Sequence, residues 1–377
     1  MARMRTAALA LAALAVISAW GSGSAYASYI ESDYPGDEVV ISPPRRPPIY
    51  VPPVRIGNEV RRLLSRVTVG GPYHYRGLAV YPLYVRDPSV RSYLSADEAL
   101  SRGLLVVSEH RNGTVRRLYA RNRSTRPVFV MQGLGFSGGK QNRVAAEDVL
   151  LAPGAEGYIP VYCMEERRWG RDREVGAAKM LAPEAVRRSA AAGATQRELW
   201  RGVDAALDSA GARSETRDLS AALESSAARK HVAGYVDYFR RVPRRGLAGV
   251  AVARWGRLTS IDVFESEHLA REHWEKILTS SSFELMSVRR SVRWPRHPGT
   301  ADVRRMLRAA YDARMSSSSG PVSGGRVSIS GSGVSGSACT WRGEAVHVSL
   351  WGRAPIMPPM PEPMPLYGGH GIEEERF

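Results

Sequence analysis

Six consecutive residues, Gly138-Gly139-Lys140-Gln141-Asn142-Arg143, concentrate two flexible backbone positions, two cations and two amides just after the apolar run Val128–Met131. Gly138 and Gly139 permit φ > 0, so successive N–H groups can curl around an anion or a carbonyl. Lys140 and Arg143 would add charge, and Gln141 and Asn142 directional hydrogen bonds. The competing reading is a glycine turn with a solvated basic rim. In a second stretch, residues 159–169, an apolar strand runs into Glu165, Glu166, Arg167, Arg168 and Trp169. Glu165 is the catalytic candidate: it could transfer a proton as a general acid or base, or instead fix an arginine in a bidentate pair. Trp169 could stack on a planar ligand; the plainer account of the whole group is a surface ion-pair cluster at a strand end. Gln196 and Trp200 stand at i and i+4 on one helix face, where Trp200 as core and Gln196 as a neighbour of the helix cap would also serve.

Spacing argues against other chemistries. Gly133-Leu134-Gly135-Phe136-Ser137-Gly138 matches G-x-G-x-x-G after a strand, but Pro153 follows too soon for a crossover helix and no run of βαβ units surrounds it. A phosphate-binding P-loop would need glycine at Leu134 and a hydroxyl residue after Lys140, where Gln141 stands. His268 and His273 are five apart, about 140° around a helix, which does not suit a zinc pair. No G-x-S-x-G elbow occurs, and no metal or cofactor is expected.

The elements that must position these residues follow from periodicity. Strands are expected at Arg66–Val69, Leu78–Tyr84, Leu104–Ser108, Val115–Arg121, Val128–Met131, Val144–Leu151 and Tyr158–Met164. One helix interrupts them, opened by the capping box Ser95-Ala96-Asp97-Glu98 and ended by Gly103. The second half starts helical, with a capping box at Thr195–Glu198 and a helical pattern over Arg217–Arg241. Strands at Leu247–Arg254 and Leu258–Phe264, helices at Glu267–Leu278 and Ala301–Met315 and a last strand at Val346–Leu350 close the unit. Runs of strands followed by runs of helices predict an α+β fold, strand-rich in its first half and helical with further strands in its second.

One compact domain is expected over residues 61–353, with a flexible Ser/Gly-rich loop at 316–337, a proline-rich linker at 28–60 and a disordered proline-rich tail at 354–377. Arg3 and Arg5, the apolar run Ala7–Ile17 and Ala25-Tyr26-Ala27 read as a signal peptide over residues 1–27. Export to the periplasm or the cell exterior is therefore expected, with no stable membrane span after cleavage; an uncleaved signal anchor is the alternative. The formal charge is +16, yet only four of the 53 basic residues are lysines. Arginine excess beside abundant Ala and Gly suggests coding bias, and with no nucleic-acid-binding motif present, specific nucleic-acid binding is not expected. Cys163 and Cys339 could pair in an oxidising compartment or both be small buried hydrophobes.

Taken in order, Gly138–Arg143, then Ile159-Pro160-Val161-x-Cys163-x-Glu165-x-x-Arg168-Trp169, then Gln196-x-x-x-Trp200-x-x-Val203-Asp204 resemble an uncharacterised bacterial family, the ADP-ribosylglycohydrolase and rhodanese-phosphatase superfamily-associated protein domain. Tyr93-Leu94-Ser95-x-x-Glu98, Gly249-Val250-Ala251-Val252, Asp262-x-Phe264 and Trp274-x-Lys276 extend the resemblance over about residues 73 to 350. It implies at most a link to ADP-ribose or other nucleotide-derived ligands, and no reaction. Such domains carry acidic residues just before the Lys-Gln-Asn-Arg motif, where this chain has Leu134 and Gly135. The expected site is a pocket for a small anionic ligand. Gly138, Gly139, Lys140, Gln141, Asn142, Arg143, Arg168, Trp169 and Gln196 would bind it, with Glu165 as the proton-transfer group. The rival expectation is a non-catalytic envelope or extracellular scaffold, tethered to a partner through its proline-rich arms, with the same motifs as internal glue.

Overall fold

The structure, a computed structural model, describes residues 56–109, 116–168, 170, 174–286 and 296–352. The signal segment, nearly all of the proline-rich linker, the tail and Trp169 lie outside the described residues. The chain opens with α1 (Asn58–Arg66), β1 (Val67–Val69), β2 (Tyr73–Tyr75), β3 (Leu78–Val85), β4 (Leu94–Ser95) and α2 (Ala96–Ser101). Strands β5 (Leu105–Glu109), β6 (Arg117–Asn122), β7 (Val128–Val130), β8 (Leu134–Gly138), β9 (Arg143–Ala145), β10 (Val149–Leu151), β11 (Glu156–Cys163) and β12 (Glu174–Leu181) follow. Next come α3 (Glu184–Ala191), α4 (Gln196–Ala210), α5 (Leu219–Leu223) and α6 (Ser226–Phe239), then β13 (Leu247–Arg254) and β14 (Arg257–Phe264). Helices α7 (Glu267–Phe283) and α8 (Thr300–Tyr311) precede β15 (Arg314–Ser319), β16 (Gly325–Gly331), β17 (Val334–Trp341) and β18 (Glu344–Gly352).

The fold is α+β and rests on two sheets. An antiparallel sheet runs in the order β1-β3-β13-β14-β18-β17-β16-β15, with β2 also on β3. Alternation along its central strands sends Ile261, Val263, Val348 and Leu350 to one face, against α1 and α8. Val250, Val252 and Phe264 go to the other, against Trp274, Ile277 and Leu278 of α7. Both faces are covered, which is why β13 is buried along its whole length. The second sheet closes on itself as a six-stranded barrel, β11-β6-β5-β12-β8-β9, filled by Val107, Leu118, Phe136, Ile159 and Val161. A small sheet, β10-β7-β4, lies beside it. Helices α3 to α5 pack their own apolar cluster around Leu199, Val203 and Leu219, joined by Met164 from the end of β11.

Local chemistry sets the boundaries. Ser95 accepts from Glu98 N–H at the start of α2, and Thr195 with Glu198 forms a reciprocal cap on α4, which ends at left-handed Gly211. The β13–β14 hairpin turns through Trp255 and Gly256 at φ 51° and 72°, the left-handed pair that matches strand twist.

The structure corrects several expectations. Residues 316–337 are not a loop: they lie mostly in β15, β16 and β17, whose buried Met315, Val327, Ile329 and Val334 keep a period of two while serines fill the other face. Helix α1 starts at Asn58, three residues inside the expected linker. Arg217–Arg241 is two helices, because Asp218 caps α5 and Ser225 separately caps α6. Val144–Leu151 is two strands: β9 pairs with β11 in the barrel and β10 leaves it to pair with β7.

Candidate functional site

Residues 138–143 contain the hairpin turn between β8 and β9, at one end of the barrel, where Phe136 pairs with Arg143. Gly138 and Gly139 have φ of 89° and 58°. A Cβ on Gly139 would stand 2.9 Å from Glu109 Oε1, so the bare backbone is what admits that carboxylate. Glu109, ending β5, accepts the Lys140 N–H at 2.9 Å, and Glu165, just beyond β11, accepts the Asn142 N–H at 3.1 Å. Both carboxylates are buried. The anions held by this turn belong to the protein itself.

The side chains extend the same pattern. Arg168 donates from Nε to Glu165 Oε2 at 2.7 Å, from Nη1 to the Gly139 carbonyl at 3.0 Å and from Nη2 to Asn142 Oδ1 at 3.2 Å. Asn142 Oδ1 also accepts the Gly138 N–H at 3.1 Å, while Nδ2 donates to Asp218 Oδ2 at 2.9 Å. Asp218 in turn caps α5 through the Ser220 N–H at 3.0 Å. Gln141 Nε2 donates to the Glu166 carbonyl at 3.0 Å. Gln196, the first residue of α4, brackets Cys163: Nε2 donates to its carbonyl at 2.9 Å and Oε1 accepts its N–H at 3.1 Å. An amide side chain thus stands in for a neighbouring strand. The hairpin, the end of β11 and the starts of α4 and α5 are knitted into one clasp.

The structure therefore brings residues 138–142, Glu165, Arg168 and Gln196 together, but directs Arg143 elsewhere. Its side chain is fully buried inside the barrel, with Nη1 donating to Gln141 Oε1 at 3.2 Å and Nη2 3.6 Å from Glu109 Oε1. Its Nε and Nη2 make no hydrogen bond. Trp200 is half-buried, 5.5 Å from the Arg217 guanidinium, which also pairs with Glu166 at 2.8 Å. Cys163 and Cys339 are not disulfide-bonded, and both are buried. Three surface recesses of about 540, 540 and 500 Å³ open beside α7, between α3 and α4, and at the β13–β14 turn; none of these three is lined by residues 138–143 or 163–168. Among the described residues no cluster of His, Cys, Asp and Glu could hold a metal ion.

A second polar centre lies outside the expected site residues. Between α3 and the sheet, Arg187 Nη2 donates to Asp262 Oδ1 at 3.0 Å with both side chains wholly buried. His347 Nε2 lies 3.3 Å from the same oxygen, and its Nδ1 is 2.7 Å from Asp148 Oδ2. Burial pushes His347 toward the neutral imidazole, but Asp148 and then Asp262 override it and raise its pKa from 6.5 to about 9. Burial likewise opposes ionisation of Asp262, yet Arg187 and His347 hold it below the usual carboxylate range. Phe264 stacks between His347 and His273, with centroid distances of 4.4 and 5.2 Å. His273 Nδ1 instead lies 2.8 Å from the Leu269 carbonyl, and burial pushes its pKa down to about 3. Gly133, at φ 84°, makes room for Arg187, whose Cγ would lie 2.5 Å from a Cβ there. Next to it, buried Glu184 gathers Arg254 at 2.8 Å, Ser281 at 3.1 Å and Thr259 at 3.2 Å. Against burial, Arg254 and Arg188 hold Glu184 below its ordinary pKa. The sequence signal was a charged residue at an inward position of an apolar strand, as for Asp262 and His347.

No helix among the described residues is long and apolar enough to cross a membrane. No curated protein and no solved structure matches the chain. The Gly-Gly-Lys-Gln-Asn-Arg turn, Glu165 with Arg168, and Gln196 all fall within the span of one family model. That model, the ARG and Rhodanese-Phosphatase-superfamily-associated Protein domain, matches residues 66–351, and the chain belongs to that family.

Proposed function

We propose that this chain is an exported, non-catalytic interaction protein whose motif residues form a structural clasp rather than a reaction centre. One observation carries the reading: the N–H groups that the glycine turn offers to an anion are bonded to Glu109 and Glu165. Glu165 is buried between Asn142 N–H and Arg168 Nε, a poor position from which to exchange a proton with a substrate. The basic segment, apolar run and Ala-x-Ala of residues 3–27 support export. The proline-rich arms are the segments that would tether it to an envelope partner.

A second reading keeps the small anionic, nucleotide-derived ligand and is favoured by one detail: Arg143 keeps two buried N–H positions without a hydrogen bond. Thermal unfolding of the chain from Ser28, with and without ADP-ribose, nucleotides and sugar phosphates, separates the two. The clasp predicts no stabilisation by any of them, and a lower Tm for Arg143→Ala with no ligand present. A bound ligand at 100 times its Kd would add about 2.7 kcal/mol, and loss of that gain in Arg143→Ala would overturn the proposal.

A further inference from the structure

The barrel-side face of the large sheet carries an array that neither motif explains. Strand register places Ser316, Ser328, Ser337, Ser349 and Asp262 directly opposite one another on five successive strands, β15-β16-β17-β18-β14. Residues opposite each other in antiparallel strands share a face. A second row, Ser330-Ser335-Trp351, runs beside it. Ser316, Ser328 and Ser330 are exposed, Ser337 is half-buried, and Ser349 and Asp262 are buried. The hydroxyls thus lead from open solvent toward the Arg187–Asp262 pair. With strands about 4.8 Å apart, the row from Ser316 to Ser349 spans about 14 Å.

The inner end holds polar atoms that the protein leaves unmatched. Ser349 Oγ, Asp262 Oδ2, Trp351 Nε1 and both Nε and Nη1 of Arg187 make no hydrogen bond, and each of these residues is more than nine-tenths buried. Leaving such groups unmet is costly, so they call for a polar group to complete them. Three N–H donors, a hydroxyl and a carboxylate oxygen require a ligand that both accepts and donates. Charge selects further: Arg187 balances Asp262, His347 balances Asp148, and Arg188, also beside Trp351, pairs with Glu184. With no net charge there, neither a phosphate nor a cation is drawn in.

We propose that this face binds an uncharged oligosaccharide, laid along the serine row with a terminal hydroxyl group completing Ser349, Trp351 Nε1 and Arg187. A polyhydroxylated chain is the ligand class that offers neutral donors and acceptors in pairs over that length. Stacking on the Trp351 ring is not part of it, because the Arg187 and Arg188 guanidinium groups each lie 5.2 Å from that ring. The face shares no residue with the clasp, so the two proposals stand or fall separately.

Isothermal titration of the full chain with chitotetraose, maltotetraose and cellotetraose, and with inorganic phosphate, tests it. Pelleting with insoluble chitin and cellulose distinguishes a polymer from a free sugar as the source. At least one tetrasaccharide should bind with Kd below about 1 mM. Ser337→Leu and Ser328→Leu should each weaken it about tenfold or more, a loss of about 1.4 kcal/mol, without lowering Tm. Ser317→Leu, on the opposite face, should leave it unchanged. The proposal is overturned if no tetrasaccharide binds at 1 mM. It is equally overturned if binding ignores both serine substitutions, or if phosphate binds in competition with the sugar.

Discussion

Raising the pH from 6.5 to 8.5 should destabilise this protein through one residue, His347. Its imidazole is fully buried between Asp148 at 2.7 Å and Asp262 at 3.3 Å, and its pKa rises to about 9. The unfolded chain has the ordinary value of about 6.5. A raised pKa means the folded state holds the proton more tightly, so the stabilisation is complete below about 6.5 and is lost as pH climbs through about 9. Integrating over the window gives a loss of roughly 2 kcal/mol between pH 6.5 and 8.5. The groups facing His347 are Asp148, Asp262, Arg187 and, across Phe264, His273, which is already neutral throughout this range. Urea unfolding followed at half-unit pH steps measures the slope, and Asp148→Asn supplies the control. The wild type should lose the stated amount while the variant, lacking the main charge that holds the proton, should lose about half or less. A pH profile that is flat from 6.5 to 8.5, or equally steep in Asp148→Asn, would refute the assignment of a charged, carboxylate-held imidazole.

Three further outcomes follow from the same interior. Arg187→Met strands Asp262 in the core with only His347 beside it, and should cost about 3–5 kcal/mol in urea unfolding. Gly133→Ala forces a Cβ against Arg187 at a left-handed backbone position and should lower stability by more than about 2 kcal/mol, read as a drop in Tm. Below pH 6.5 stability should fall as well, because buried His273 stays neutral when the unfolded chain binds a proton; His273→Gln should flatten that acid limb in the same unfolding series.

Much of the fold was legible because its signals were local. The caps at Ser95 and Thr195 and the apolar runs of β7, β11 and β13 each announce an element within a few residues. The Ser/Gly ribbon resembles a linker for a compositional reason: Met315, Val327 and Ile329 keep the strand period, but serines and glycines fill the positions between them. At the clasp, the two flagged segments meet because each follows an apolar barrel strand. What the sequence could not disclose is what fills the turn. Glu109 and Asp218 lie 31 and 76 residues from their partners in the turn, and pairing over such distances is set by barrel closure and helix packing, not by any local pattern. The buried Arg187–Asp262–His347–Asp148 chain was hidden for the same reason: a lone acid or histidine in an apolar strand reads equally well as facing solvent.

A double-mutant cycle between Asn142 and Asp218 tests the clasp most directly. The Asn142 Nδ2 to Asp218 Oδ2 bond, at 2.9 Å, ties the barrel hairpin to the start of α5. Unfolding free energies of Asn142→Ala, Asp218→Ala and the double variant should give a coupling of about 1–2 kcal/mol, as expected for a bond to a charged group between neighbours. Single costs that add within about 0.3 kcal/mol would show that the motif does not hold these segments together, and would contradict the structural role assigned to it.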